Sequence, residues 1–295
     1  MSNRRRPAAG HPAVGVVVAS VLFGTSGTAR SFAPESASSL SVAGVRLMVG
    51  ALPLLAYGLV TDGRNRPRLR AEVVAAGAAM ALFQVCFFSA MEHSGVAVGT
   101  MLTIGSGPVI AAGIDSLLGR RPSARVLAAL VAALAGLAML VLGSPPDGDA
   151  SFSVAGALFG IGAGACYAVY TLLCKRLLDD GWSGTWTMAW SFVVAAVLGV
   201  AFVVPGSLDW LGTPSGTFTV AYLGLATISV AYLLYARSLS RLTGSTVVTL
   251  TLVEPVTATT LGALVLGENI RPVSWVGAAI VVAALVVAGT STTSA

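Results

Sequence analysis

Residues 253–274 read VEPVTATTLGALVLGENIRPVS, an apolar run broken by Glu254-Pro255 and closed by Gly267, Glu268 and a short loop carrying Pro272. Residues 106–123 read SGPVIAAGIDSLLGRRPS and follow the same plan: Pro108-Val109 in mid-run, Gly119 about three turns on, then Pro122 in a short loop. A Gly- and Ala-rich run follows each, at 126–143 and 273–289. The alternative is coincidence between two Ala-rich helices, but the matched Pro, Gly and loop Pro favour a repeat of about half the chain. If each copy holds five helices, an odd number, the second must enter the membrane from the opposite side. Inverted repeats of this kind build transporters whose substrate site lies near the midplane between the halves.

Composition sets the frame for that repeat. The chain of 295 residues is 56% hydrophobic and 10% charged, with mean hydropathy +0.86. Average globular chains carry about 25% charged residues, so a soluble surface is excluded, and abundant apolar area with little charge excludes disorder. A span needs about 20 apolar residues. Ten runs qualify: 12–29, 36–61, 73–91, 94–114, 126–146, 150–174, 181–208, 211–236, 242–267 and 272–295, with Arg46 inside the second and Glu254 inside the ninth. Arg4, Arg5 and Arg6 ahead of the first run resemble the start of a secretory signal, but no small-x-small site follows, so the run is read as a retained helix.

The net charge of +5 follows topology and does not point to nucleic acid. With the N-terminus inside, Arg4, Arg5, Arg6, Arg64, Arg66, Arg68, Arg70, Arg120, Arg121, Arg125, Lys175, Arg176, Arg237 and Arg241 all fall on the inner side. That is 14 of the 17 Lys and Arg, a bias that orients the chain N-in and C-in in the inner membrane. The expected fold is therefore an all-α integral membrane protein. It has ten transmembrane helices in two inverted five-helix repeats, 1–146 (with a short basic N-terminal tail) and 147–295.

Ten helices in two halves resemble the drug/metabolite transporter superfamily, and specifically its EamA-type members. Tyr222-Leu223-Gly224 through Ala231-Tyr232-Leu233-Leu234-Tyr235-Ala236 is similar to that family's eighth helix. Leu252-Val253-Glu254-Pro255-Val256, ending in Leu266-Gly267-Glu268, is similar to its ninth. Arg46 falls where the second helix usually has an arginine, and Phe23-Gly24-Thr25-Ser26 where the first often has Trp-Gly-Ser. The first-half counterpart departs from the pattern by ending Gly119-Arg120-Arg121 instead of Gly-Glu. The resemblance implies a carrier of small metabolites or toxic compounds, often moved outward.

Individual residues carry the chemistry. Glu254 lies about ten residues, hence about 15 Å, into its span. Intramembrane carboxylates usually face a bundle interior or cavity. Glu254 is either a proton-coupling group or a structural acceptor for backbone groups freed by Pro255. Val247, Leu250, Thr251, Thr257, Ala258 and Leu261 are expected on its face. Arg46, equally deep, has three readings: a partner for Glu254 (favoured), a site for an anionic substrate group, or a snorkelling side chain. Asp115 is read as an interfacial salt bridge with Arg120 and Arg121.

Tyr167 and Tyr170 share a face of the sixth helix with Thr171, Gly160 and Gly164. Tyr222, Ser229, Tyr232 and, at the arc's edge, Tyr235 share one on the eighth. Trp182, Trp186 and Trp190 follow i, i+4 spacing on the seventh. Such rings either pack the core or stack on cargo, and Trp190 is the best placed for a cavity. Gln84 is a lone polar side chain in mid-span, suited to an interhelical hydrogen bond or a ligand. Candidates for the substrate path are Phe23, Arg46, Gln84, Tyr167, Tyr170, Trp190, Tyr232 and Glu254.

Cys86, Cys166 and Cys174 read as small buried hydrophobes, and with His11 and His93 the only histidines no metal or cofactor is expected. The reading is a secondary transporter, an exporter by expectation, of amino acids, amines or drug-like compounds by alternating access. Its partners are a small-molecule substrate, the bilayer and, at Glu254, protons, with no nucleic acid. One chain carries both halves, so a monomer suffices and a homodimer is compatible. The rival is an integral membrane enzyme acting on lipid-like substrates. It lacks HExxH and a nucleotide-binding loop, and its only acidic pair is Asp179-Asp180 in a basic inner loop.

Overall fold

The computed structural model describes residues 12–63, 69–119, 123–142, 153–204 and 207–290. The expected tail arginines, Arg64, Arg66, Arg68, Arg120 and Arg121, and the 146/147 boundary lie outside them. Among the described residues the chain is helical, without strands. Nine helical runs are long and apolar enough to cross a membrane. They are α1 (Pro12–Ser31), α2 (Ser39–Thr61), α3 (Ala71–Ser94), α4 (Val96–Leu117), α5 (Ala124–Leu142), α6 (Val154–Asp179), α7 (Gly184–Val203) and two composite runs. The first composite joins α8 (Pro214–Gly224), a π-helical turn (Leu225–Val230) and α9 (Ala231–Leu239). The second joins α10 (Gly244–Leu250) and α11 (Val253–Val265). A last helix, α12 (Pro272–Thr290), carries a shorter apolar stretch, Pro272–Ala288.

Hydroxyl caps start many of these helices. The side chains of Ser38, Ser153, Ser183, Thr213 and Thr243 accept from the backbone N–H of Ser41, Gly156, Trp186, Gly216 and Thr246, satisfying donors that a helix start leaves open. α6 stops at Gly181, whose φ of +89° favours glycine. The Trp182 N–H bonds Leu177 O, and Gly181 N–H bonds Leu178 O, which closes the end as a Schellman turn.

Both composite runs differ from the single helices that sequence leads one to expect. In the ninth, Pro255 has no N–H to give Thr251 O. That carbonyl instead accepts from Glu254 N–H at 2.9 Å, and the helix breaks at Thr251–Leu252. Val247, Leu250 and Thr251 are buried, whereas Ala258 is exposed, so the single face expected around Glu254 is not formed. In the eighth, the π turn inserts extra backbone. Ser229 Oγ donates to Gly50 O at 2.8 Å and to Gly224 O at 3.2 Å, tying the turn to α2. Tyr222 therefore sits apart from Tyr232 and Tyr235: its hydroxyl is 2.8 Å from Thr25 Oγ1 on α1.

Helix packing pairs α2 with α7 and α5 with α12; α3 packs on α6, α4 on α6, and α1 on α9 and α11. Glycines permit close approach. A methyl at Gly136 would lie 2.7 Å from Gly277 O, so α5 and α12 meet backbone to backbone. One methyl at Gly24 would lie 2.6 Å from Glu254 O, so α1 is seated against the start of α11. On the sixth helix, a methyl at Gly164 would lie 2.7 Å from Thr103 O, which gives α6 the same relation to α4.

The two ends of the bundle differ. At the basic end, contacts link Arg70 to Asp180, Asp62 to Ser183, and Asp115 to the Ser245 N–H. Buried residues are more frequent in the halves of α1, α3 and α4 nearest that end than in their other halves, and all of α10 is buried. Toward the other end α1, α3 and α4, and also α11, show mostly half-buried side chains. Asp115 is 1% exposed, and its expected salt-bridge partners Arg120 and Arg121 lie outside the described residues. Its Oδ2 accepts the Ser245 N–H at 3.0 Å, capping α10.

Candidate functional site

The intramembrane charges define the centre. Arg46 projects from α2, Gln84 from α3 and Glu254 from the first turn of α11. Gln84 is buried, and its Oε1 accepts from Arg46 Nη2 at 2.9 Å. Arg46 and Glu254 make no ion pair within 4 Å, although each lies within electrostatic reach of the other and of the Tyr232 hydroxyl. The direct pair favoured by the sequence is thus replaced by an Arg–amide bond, and Arg46 Nε stays without a partner. No described hydrogen bond uses the Glu254 carboxylate, so it does not serve as an acceptor for backbone released by Pro255. Both charged residues are half-buried, facing space within the bundle.

Aromatic rings surround the pair. Tyr232 on α9 touches Phe23 (ring centroids 5.0 Å), Phe192 (4.5 Å) and Tyr170 (5.9 Å). Tyr167 lies 6.3 Å from Tyr170 and 5.7 Å from Phe83. Tyr170 and Tyr235 are fully buried, and their hydroxyls are spent internally: Tyr170 OH donates to Met188 Sδ at 3.1 Å, and Tyr235 OH meets Thr171 Oγ1 at 2.6 Å. They form the packed floor toward the basic end.

The structure thus divides the sequence candidates. Gln84, Tyr170 and Tyr232 are buried in packing. Phe23, Arg46, Tyr167, Trp190 and Glu254 are half-buried. The indole N–H of Trp190 is buried without a hydrogen-bond partner, and the Tyr167 hydroxyl lies near that of Tyr235. Trp190 stacks on Trp186 at 6.2 Å.

Phe83 and Phe192 are contributors that sequence reading missed. Phe83 adjoins Gln84, but in an almost wholly apolar helix its ring carries no periodic signal. No group of three or more His, Cys, Asp or Glu able to hold a metal occurs among the described residues.

This constellation can offer a cation and an anion, unpaired with each other, within an aromatic wall that is closed toward the basic end. Chemically that suits a small molecule carrying opposite charges or polar ends.

The chain is similar to known proteins over most of its length. The model of the EamA-like transporter family matches residues 12–142 and again 154–290. A Bacillus subtilis (strain 168) relative called "Uncharacterized transporter YwfM" is 36% identical over 274 residues, covering 92% of this chain and 91% of its own. The "Threonine/homoserine exporter RhtA" of Escherichia coli (strain K12) is 29% identical over 274 residues, covering 91% of this chain and 87% of its own. A solved crystal structure superposes with a TM-score of 0.80 at 18% identity, spanning 96% of this chain and 98% of that one. That last likeness concerns the fold alone.

Proposed function

This chain belongs to the EamA-like transporter family, and from that premise we propose that it is a secondary transporter exporting small zwitterionic metabolites by alternating access. Arg46 receives the carboxylate of the cargo and Glu254 its ammonium group, with Phe23, Tyr167 and Trp190 along the path. The observation that carries this reading is the pair of half-buried opposite charges that do not pair with each other. Charged groups within a bilayer are costly and commonly pair with one another; a ligand bridging them would relieve both. The name of the RhtA relative, an exporter of threonine and homoserine, is consistent with such a cargo.

The proposed topology is ten spans, α12 included, in the inner membrane, N-in and C-in, as inverted repeats 1–146 and 147–295. The double family match supports it. So does the packing: α2 with α7 and α5 with α12 join equivalents, while α1 on α9 and α11 parallels α6 on α3 and α4. The basic end is then cytoplasmic and closed, and the looser end faces outward. Glu254 also serves as the proton-coupling group.

The test is flux in proteoliposomes. Purified wild-type chain should move a labelled amino acid in exchange for protons flowing down an imposed gradient, and Glu254→Gln should not. Equal flux in both would remove Glu254 from the mechanism.

A further inference from the structure

At the basic end, away from the Arg46–Glu254 centre, a cavity of about 140 Å³ opens between α2, α7 and α9. That is room for a few waters or one phosphate-sized group. Tyr57, Thr185, Arg237 and Ser240 supply its polar lining, with Leu233 and Ala236 behind them. No acidic residue lines it. Two acids at this end are engaged elsewhere: Asp62 accepts from Ser183, and Asp180 pairs with Arg70 at 2.8 Å. Arg237 makes no ion pair among the described residues and is exposed, so its guanidinium is available to an incoming anion.

We propose that this cavity binds the phosphate headgroup of an anionic phospholipid. A guanidinium matches phosphate oxygens through paired N–H donors, and the hydroxyls of Tyr57 and Thr185 can donate to the remaining oxygens, whereas Ser240 Oγ already donates to Arg237 O at 2.8 Å. A lipid is favoured over a free anion by what borders the site. Tyr57 is exposed, and its neighbours Leu59 and Val60 on α2 are exposed apolar side chains, a surface suited to acyl chains. Arg241, one turn beyond Arg237, is exposed as well. Basic pockets between transmembrane helices at that level are suited to anionic headgroups. A bound lipid would brace the junction where α7 meets α9, at which a methyl on Gly184 would lie 3.1 Å from the Ala236 side chain.

Thermal unfolding of the detergent-purified full chain tests the site with three probes: phosphatidylglycerol, phosphatidylcholine and inorganic phosphate. Phosphatidylglycerol should raise Tm by at least about 2 °C, and the other two should not. Arg237→Gln should lose the rise, Arg237→Lys should keep part of it, and Tyr57→Phe should reduce it, with each variant compared to its own lipid-free Tm. Three outcomes overturn the proposal. One is an equal rise with phosphatidylcholine, which marks general solvation by lipid. Another is an undiminished rise in both Arg237→Gln and Tyr57→Phe. The third is an equal rise with inorganic phosphate, which marks a free-anion site.

Discussion

Arg46 Nη2 donates to Gln84 Oε1 at 2.9 Å, so the cation inside the bundle is held by a neutral amide and keeps its full charge for the space around it. Glu254, across the same region, is left without an ion-pair partner within 4 Å among the described residues. A salt bridge between them would have neutralised the site; the amide orients the guanidinium without doing so.

Removing the amide should therefore cost stability. Gln84→Leu takes away the one described hydrogen bond of Arg46. Bonds to charged groups contribute about 1.5–3 kcal/mol, and a buried donor left open adds its desolvation cost. A clear fall in Tm is expected, partly recovered in Gln84→Leu/Arg46→Leu. An unchanged Tm in the single variant would mean that Arg46 finds another acceptor at no cost.

Glu254→Gln should behave oppositely, sparing the fold and abolishing function. The carboxylate makes no described hydrogen bond, so the neutral isostere should shift stability by no more than about 0.5 kcal/mol. Wild-type flux should vary with pH through protonation of this carboxylate, and that dependence should disappear in the variant. A variant whose flux keeps the wild-type pH profile would place the proton elsewhere.

Two glycines on α1 make a controlled comparison. A methyl at Gly24 would lie 2.6 Å from both Glu254 O and Thr257 Cβ, while one at Gly27 meets nothing within 4 Å. Gly24→Ala should destabilise by about 1–3 kcal/mol through overpacking. Gly27→Ala should be neutral or gain up to about 1 kcal/mol from helix propensity. Unfolding of both variants in one detergent distinguishes a tight α1–α11 seam from a loose one. Equal effects would indicate that the seam yields.

Asp115 caps α10 through the Ser245 N–H. Asp115→Ala should cost about 0.5–2 kcal/mol, and Asp115→Asn, which keeps an acceptor oxygen, clearly less. If both cost the same, the charge matters more than the cap, and a basic partner must be sought.

Much of the fold could be read in the residues because membrane spans announce themselves by length and apolarity. The break before Glu254 is written in Pro255, which lacks the N–H that a continuous helix needs. Other features are silent. The π turn at Leu225–Val230 carries no Pro or internal Gly to mark it, so Tyr222 is counted onto the wrong face. Asp115 stands near a basic loop in sequence, and its described hydrogen bond comes from an amide 130 residues away; only the tertiary fold brings α4 to α10. The Arg46–Gln84 bond was within reach, since both residues were visible as polar interruptions. Pairing by charge pointed to Glu254, however, because sequence gives depth along a helix but not the direction a side chain faces.

The most direct test measures binding of an intact amino acid and of its two truncated analogues, one lacking the carboxylate and one lacking the amine. Wild type, Arg46→Gln and Glu254→Gln would be compared by calorimetry. If the two charges hold opposite ends of the cargo, wild type prefers the intact molecule. Arg46→Gln then loses its discrimination against the analogue without a carboxylate, and Glu254→Gln loses it against the analogue without an amine. Wild-type-like preference in both variants would contradict the account and move the substrate site away from this pair.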